Sequence, residues 1–147
     1  MRLQGKSGRV ALMTDTTGEL LLGTARQLRR RFGAAMGGAG VTPAQGRALR
    51  IVCEHHSVRL SVLAEHLRIA PRSATEVVDA LEEAGLVRRV ADPDDRRATC
   101  VEPTDEGRER AAALDEVRRE ATEEFLAVLP ARDRRTLDRI LRQLGEG

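Results

Sequence analysis

The polar side chains with the clearest chemical use lie in two short segments near the middle of the chain. The first segment contains Arg72, Ser73, Thr75 and Glu76. An arginine can donate two hydrogen bonds to the O6 and N7 atoms of guanine, and a glutamate can accept one from the N4 amino group of cytosine. We therefore interpret this segment as a surface that could read base edges in duplex DNA, against the alternative of a solvated helix face.

The second segment is the charged run from Ala91 to Arg97, in which one proline and three aspartates favour a turn. Its last two residues, Arg96 and Arg97, could enter the narrow, electronegative minor groove of DNA. We expect one of these arginines to pair with an aspartate and stiffen the turn, and the other, Arg97, to enter the groove. The alternative is that both are solvated charges that balance the aspartates.

A third group of residues could bind a metal ion. Cys53, His55 and His56 are close in the sequence, but only His66 and scattered acids could complete the three or four ligands that a metal site needs. We expect no metal and no cofactor, and we keep open a metal-responsive regulator, or a redox-responsive one that uses Cys53 or Cys100. No pattern typical of a catalytic site is present, so we expect no enzymatic activity.

The spacing of apolar residues predicts the elements that position the two polar segments. Ser61 is interpreted as the N-cap of a helix that reaches Leu67, and a second helix follows a tight turn and ends at Gly85. Such a pair is a helix-turn-helix, and apolar residues on one face of the second helix leave its polar residues free. Strands over Leu86–Val90 and Ala98–Val101 then predict a hairpin with a charged tip.

Four further helices are expected around this unit. The first runs from Thr17 to the glycines after residue 36, and the second follows a capping box at Thr42 and ends near His55. After a short edge strand at Val58–Leu60 and the hairpin, a long helix runs from Thr104 to Leu129, and a last one follows Pro130. The predicted fold class is mainly α, an α+β winged helix with six helices and a two-stranded β-wing.

The terminal helices carry more apolar surface than so small a lobe can cover, which predicts a symmetric homodimer. We divide the chain into a flexible arm over residues 1–14 and a single domain over 15–147. Within that domain, the winged helix-turn-helix occupies about 42–103 and the dimerisation helices about 15–37 and 104–146. The predicted dimerisation residues are Leu21, Leu28, Leu137, Ile140, Leu141 and Leu144.

The composition narrows the class of protein. The 147 residues are 41% hydrophobic and 33% charged, as in globular soluble chains. No run of about 18 apolar residues and no secretory signal is present, so we expect a cytoplasmic protein with no membrane partner. Two cysteines without CxxC spacing favour reduced thiols over a disulfide or a zinc knuckle.

Three motifs follow one another between residues 81 and 107. They read LEEAGLVRR at 81–89, DPDDRR at 92–97 and TDEG at 104–107. Together they resemble the MarR family of transcriptional regulators, over roughly Thr17 to Leu144. The resemblance implies a dimer of triangular outline with two winged-helix lobes, which regulates nearby genes and often responds to a small ligand. It also matches Arg72, Ser73 and Thr75 to the family's groove-facing positions, and Arg96 and Arg97 to its wing arginines.

The predicted function is therefore a sequence-specific regulator of transcription that binds double-stranded DNA at a palindromic operator. We expect a repressor that a small organic effector relieves. Phe32 and Phe125 are the chain's only aromatic residues other than histidine, so an effector pocket lined by aliphatic side chains and arginine would suit an apolar or anionic molecule. The alternative is a winged-helix dimer that binds proteins, since residues 59–103 hold seven arginines against nine acids, Glu76 among them.

Overall fold

The computed structural model describes residues 16–146, so the arm predicted over residues 1–14 lies outside the described residues. Those residues contain six helices and three strands, which confirms the predicted winged-helix fold class. The helices are α1 (Thr17–Gly37), α2 (Pro43–His55), α3 (Leu60–Leu67), α4 (Pro71–Glu83), α5 (Asp105–Leu126) and α6 (Ala131–Gly145). The strands are β1 (Val58–Arg59), β2 (Val87–Ala91) and β3 (Thr99–Pro103). No helix in this stretch is long and apolar enough to cross a bilayer.

The first two helices begin with reciprocal side-chain caps. In α2 the Thr42 hydroxyl accepts a hydrogen bond from the Gln45 amide at 3.2 Å, and the Gln45 side chain accepts one from the Thr42 amide at 2.9 Å. This is the predicted capping box, with Pro43 in the first turn, where its missing N–H costs no hydrogen bond. Thr16 and Glu19 form the same arrangement at the start of α1.

Two helix boundaries differ from the sequence prediction. Ser61 is not an N-cap, because α3 begins at Leu60 and its N-cap position is Arg59, which makes no side-chain cap hydrogen bond. The two residues before α3 are held in the sheet instead, so the chain turns directly from strand into helix. Helix α5 ends at Leu126 and not at Leu129, since the following residues form a short turn that precedes Pro130.

The three strands form one antiparallel sheet in the order β1-β3-β2. The predicted hairpin is the β2–β3 pair, whose register runs from Val87 opposite Pro103 to Ala91 opposite Thr99. The predicted edge strand, β1, pairs Val58 with Val101 and Arg59 with Cys100. The wing is therefore anchored through β3 to the segment that leads into α3.

The core lies between α2, α3, α4 and the sheet. Its largest fully buried side chains are Leu49, Val52, Leu63, Val78, Leu81, Leu86, Val87 and Val101. Each such side chain contributes roughly 1.5–3 kcal/mol of transfer free energy on burial. This core fixes the helix-turn-helix against the root of the wing.

The junction between the wing and α5 explains the TDEG motif. The Thr104 hydroxyl accepts a hydrogen bond from the Gly107 amide at 3.0 Å and donates one to the Gly85 carbonyl at 2.7 Å. A Cβ atom on Gly107 would lie 1.9 Å from the Leu86 carbonyl oxygen. Only glycine allows α5 to start so close to the strand, so the motif joins the lobe to the long helix.

Helices α1 and α5 pack against each other, and α6 stands apart from the core. The Arg118 guanidinium lies 4.9 Å from the centre of the Phe32 ring, and Arg31 lies 5.3 Å from that of Phe125. No side chain of α6 is buried. Its main polar tie to the rest of the chain is a bidentate ion pair between Arg134 and Glu123 of α5, with both N···O distances at 2.6 Å.

Candidate nucleic-acid interface

Helix α4 has one buried face and one exposed polar face. Ala74, Val78 and Leu81, spaced four and three residues apart, point into the core. The same spacing turns the first predicted site residues outward: the Arg72 side chain is 93% exposed, and Ser73 and Glu76 are exposed as well. Thr75 is half-buried, and its hydroxyl donates to the Pro71 carbonyl at 3.1 Å. The helix therefore offers Arg72, Ser73 and Glu76 to a partner more fully than Thr75.

The turn before α4 is held by Arg47, which was not among the residues predicted from the sequence. The Arg47 guanidinium of α2 donates to the carbonyl oxygens of His66 at 2.8 Å and Leu67 at 3.4 Å, at the C-terminal end of α3. A cation there satisfies carbonyls that have no partner within the helix. Arg68 follows in the left-handed conformation, at φ 55°, and ends the helix. The geometry of the turn thus depends on α2 as well as on its own sequence.

Arg72 and Glu76 lie one helical turn apart and form a long ion pair, with 3.6 Å between Nε and Oε1. Both side chains are largely exposed, so the pair is weak in water. The contact orients Arg72 along the helix without burying either charge. Both groups therefore remain available for hydrogen bonds to base edges.

The acidic C-terminal half of α4 is neutralised from the wing. The Arg89 side chain of β2 contacts the carboxylates of both Asp79 and Glu82, the former at 2.5 Å. The Arg89 amide also donates to Glu82 at 3.0 Å, and these hydrogen bonds hold the pKa of Glu82 below its usual value. Because Arg89 offsets the charges of Asp79 and Glu82, this half of α4 repels DNA phosphates less than two unpaired carboxylates would.

The turn of the wing is built by aspartate side chains that bind backbone amides. The Asp92 carboxylate accepts from the amides of Asp94 and Asp95, at 2.8 and 3.3 Å. The Asp95 carboxylate accepts from the Arg97 amide at 3.0 Å. Such short loops closed by aspartate have a defined backbone. The aspartates thus shape the turn rather than balance its arginines.

The side chains of Arg96 and Arg97 are exposed at this turn. No carboxylate between residues 16 and 146 lies within ion-pair distance of either guanidinium. The expected pairing of one wing arginine with an aspartate is therefore wrong. The partner of Asp92 is Arg59 on β1, and both wing guanidinium groups are exposed to solvent.

A cleft of about 1010 Å³ lies between this lobe and the helices α1 and α5. Phe32, Met36 and Leu114 form part of its apolar wall. The basic side chains that line it are Arg29, Arg47, Arg50, Arg68 and Arg118, with His66 beside them, and the acids are Glu65 and Asp115. The Nε of Arg50 is buried and has no hydrogen-bond partner among the described residues. The cleft therefore combines apolar walls with an excess of arginine.

The cysteines and histidines do not form a metal site in the part of the chain that the structure describes, where no three ligand-type side chains come together. The rings of His55 and His66 are 5.1 Å apart. Burial raises the pKa of the thiols of Cys53 and Cys100. Because the thiolate is the reactive form, this burial disfavours the redox-responsive alternative.

The predicted dimerisation residues lie on two exposed apolar faces. Leu21, Ile140, Leu141 and Leu144 are exposed, and Leu28 and Leu137 are half-buried. A groove of about 620 Å³ between α1 and the α5–α6 region runs beside them. Leu20 and Leu22, which the sequence reading did not include, extend the exposed apolar surface at the start of α1.

Comparisons with known proteins agree with this architecture. A family profile described as "MarR family" matches residues 41–99. The HTH-type transcriptional repressor Mb2911 of Mycobacterium bovis is 31% identical over 128 residues, which cover 87% of this chain and 92% of the relative. A putative transcriptional regulatory protein for the hcr operon of Thauera aromatica is 31% identical over 71% of this chain, but the match spans 63% of that relative's length.

Solved structures have the same fold. One is the MarR family protein Rv2887 of Mycobacterium tuberculosis in complex with p-aminosalicylic acid, with a TM-score of 0.75 and 30% identity over 89% of this chain and 99% of the other. Another is a mutant of MarR from E. coli complexed with operator DNA, with a TM-score of 0.70 and 21% identity over 86% and 91% of the two chains.

Proposed function

The chain belongs to the MarR family, and from that premise we propose that it is a transcriptional repressor that binds a palindromic DNA operator as a homodimer in the cytoplasm. The observation that carries this proposal is the geometry of one surface. Arg72, Ser73 and Glu76 project from the exposed face of α4, and Arg96 and Arg97 project from the adjacent wing without acidic partners among residues 16–146. A helix that enters the major groove beside a wing that reaches the minor groove fits this arrangement.

We assign different roles to the two sets of residues. Arg72, Ser73, Thr75 and Glu76 read base edges in the major groove, with Arg72 suited to guanine. Arg96 and Arg97 supply charge to the minor groove or the phosphates, and Arg97 enters the groove. The operator complex of the E. coli relative supports a DNA partner for this fold.

The first experiment is a selection of bound sequences from a random duplex library. A two-fold dimer presents two equivalent recognition helices, so the selected site should be palindromic, with half-site centres about 10 base pairs apart. Footprinting on the selected duplex measures the spacing. A single asymmetric site would contradict the dimeric arrangement, and the absence of any enriched sequence would contradict the proposed function.

Titration of two variants on the selected operator then tests the roles. We expect Arg97→Ala to weaken binding to all duplexes and to lower the slope of log affinity against log salt by about one. Arg72→Ala should cost roughly 1–3 kcal/mol on the operator and relax preference at one base pair per half-site. Arg30→Ala, which removes an exposed arginine of α1, is the control and should change neither quantity. The reverse pattern for the first two variants would exchange their roles.

We also propose that a small organic anion relieves repression by binding the arginine-lined cleft between the lobe and the helices α1 and α5. The arginines that line the cleft and its apolar wall around Phe32 support such a ligand. Arg50 pairs with Glu54 through one nitrogen, and its Nε has no hydrogen-bond partner among residues 16–146. The p-aminosalicylic acid complex of Rv2887 supports the same class of molecule. Calorimetric titration with p-aminosalicylate should give binding that Arg50→Ala weakens. No heat at millimolar ligand would contradict this choice of anion, and unchanged affinity in Arg50→Ala would contradict the site.

A further inference from the structure

The Asp92 carboxylate is a hub at the root of the wing. It lies where β2 ends, and its side chain is only 5% exposed. Besides the amides of Asp94 and Asp95, it accepts a hydrogen bond from the Arg59 Nε and one from the Cys100 thiol at 3.7 Å. One buried carboxylate thus joins the turn of the wing, strand β3 and strand β1.

The Arg59 contact matters most because it supplies the opposite charge. A buried carboxylate without a cationic partner is unfavourable, and removing one member of such a pair leaves the other uncompensated. Without Arg59, the partners of the buried Asp92 carboxylate would be two backbone amides and a thiol, none of which carries a positive charge. Losing this ion pair would therefore release the loop that carries Arg96 and Arg97.

The position of Arg59 in the chain shows which two parts of the lobe this contact connects. Arg59 is the last residue of β1 and the N-cap residue of α3, so its backbone belongs to the start of the helix-turn-helix. Asp92 begins the wing turn, 33 residues later. The ion pair therefore ties the turn of the wing to the unit that carries the recognition helix.

We propose that Arg59 is a positioning residue for DNA binding, which holds the wing turn at a fixed place beside α4 so that Arg97 and α4 engage the same duplex. This inference rests on the proposed DNA-binding function. Arg59 lies outside both predicted contact segments and acts through Asp92. The wing arginines depend on it for their place.

The side chain of Arg59 is 44% exposed, so a direct contact with a phosphate is the competing role. The two roles differ in whether the contribution of Arg97 to DNA affinity depends on Arg59. A direct phosphate contact adds its own contribution whether or not Arg97 is present. A positioning role makes the benefit of Arg97 depend on Arg59.

The first test needs no DNA and reports order in the wing itself. Hydrogen exchange at the amides of Asp94 and Asp95 is measured by NMR in the free protein. We expect Arg59→Ala and Asp92→Asn to speed exchange at both amides and Arg59→Lys to restore part of the protection. Arg88→Ala breaks a cross-strand ion pair with Glu102 in the same sheet and should leave these two amides unchanged. Unchanged exchange in Arg59→Ala overturns the proposal.

The second test is a double-mutant cycle on the selected operator. The loss of affinity caused by Arg97→Ala should be at least about twofold larger in the wild-type background than in Arg59→Ala, since coupled neighbours depart from additivity by that much or more. Equal losses in both backgrounds, with a separate loss of salt dependence for Arg59→Ala, would assign Arg59 a direct phosphate contact and overturn the positioning role. If wild-type protein binds no duplex, the proposed function fails, and the exchange experiment still decides whether Arg59 orders the wing. Arg59→Gln, which removes the charge and keeps part of the side chain, serves in both tests if Arg59→Ala does not fold.

Discussion

The winged-helix lobe and the C-terminal helix α6 differ in how far their apolar side chains are buried. The lobe buries Leu49, Leu63 and Leu81 within its own chain. Helix α6 buries none of its side chains and leaves Ile140 41% and Leu144 63% exposed. An exposed apolar stripe of this kind marks an interaction surface. The lobe thus covers its apolar side chains within one chain, and we propose that a second copy of the chain covers those of α6.

The ion pairs of the lobe and of α6 also differ. In the lobe, the ion pair of Arg59 with Asp92 joins strand β1 to the turn of the wing across 33 residues. At α6 the pair of Arg134 with Glu123 links only neighbouring helices. The ion pair of Arg59 with Asp92 holds the wing against the helix-turn-helix, whereas no such long-range ion pair holds α6 to the lobe among residues 16–146.

The largest expected effect comes from removing α6. Deleting residues 132–147 should convert dimers into monomers or aggregates and abolish operator binding, because one lobe alone contacts a single half-site. Sedimentation velocity and DNA titration measure the two losses. The control is a shorter deletion of residues 145–147, which keeps the whole apolar stripe up to Leu144. A long deletion that stays soluble, dimeric and competent to bind DNA would show that the interface lies elsewhere.

The next largest effect should be confined to the lobe. Gly107→Ala places a methyl group against the Leu86 carbonyl oxygen, where a Cβ would lie 1.9 Å away, so backbone must move. We expect the free energy of unfolding to fall by about 3 kcal/mol. Gly37→Ala is the matched control, since nothing lies within 4 Å of its Cβ position in α1. Urea denaturation that finds the two variants equally stable would contradict this account of the junction.

A smaller effect should separate the dimer interface from the core. Leu144→Ala should weaken dimerisation by about 1–2 kcal/mol without lowering the stability of the monomer. The melting temperature of the variant should consequently equal that of the wild type at concentrations where both are monomers, and lie below it at concentrations where the wild type is dimeric. Leu49→Ala, a core control, should cost about 2–5 kcal/mol at every concentration. A Leu144 variant that loses stability equally at all concentrations would place this residue in the core instead.

The smallest expected effect is a change in the stability of the fold at acidic pH, caused by protonation of Asp92. The Arg59 guanidinium, and then the Asp94 amide, hold the pKa of Asp92 below its ordinary value of 3.8. A carboxyl with a lowered pKa in the folded state stabilises the fold above its unfolded pKa, and that contribution is lost as the pH falls through the folded pKa. The stability difference between wild type and Asp92→Asn should therefore shrink below about pH 4. In the Arg59→Ala background this pH dependence should be smaller, and an equal dependence in both backgrounds would assign the shift to other groups.

Local sequence signals predicted the elements of the lobe with good accuracy. Thr42 and Gln45 fixed the start of α2 through contacts three residues apart, and apolar spacing on α4 placed Arg72 and Glu76 on the exposed face. The prediction failed at Ser61, where a local capping signal was overridden by pairing between β1 and β3. Capping and helical spacing can be read from a window of a few residues, and strand pairing cannot.

What the sequence by itself determined was the set of elements, their order and the polar faces left for a partner, because each depends on neighbours along the chain. Only the tertiary structure decided which charges are paired. Arg47 binds the end of α3 across 19 and 20 residues, and Arg59 reaches Asp92 across 33, while Arg96 and Arg97 form no ion pair within residues 16–146. The physical reason is that an ion pair depends on distance in space, which the packing of the helices against the sheet sets.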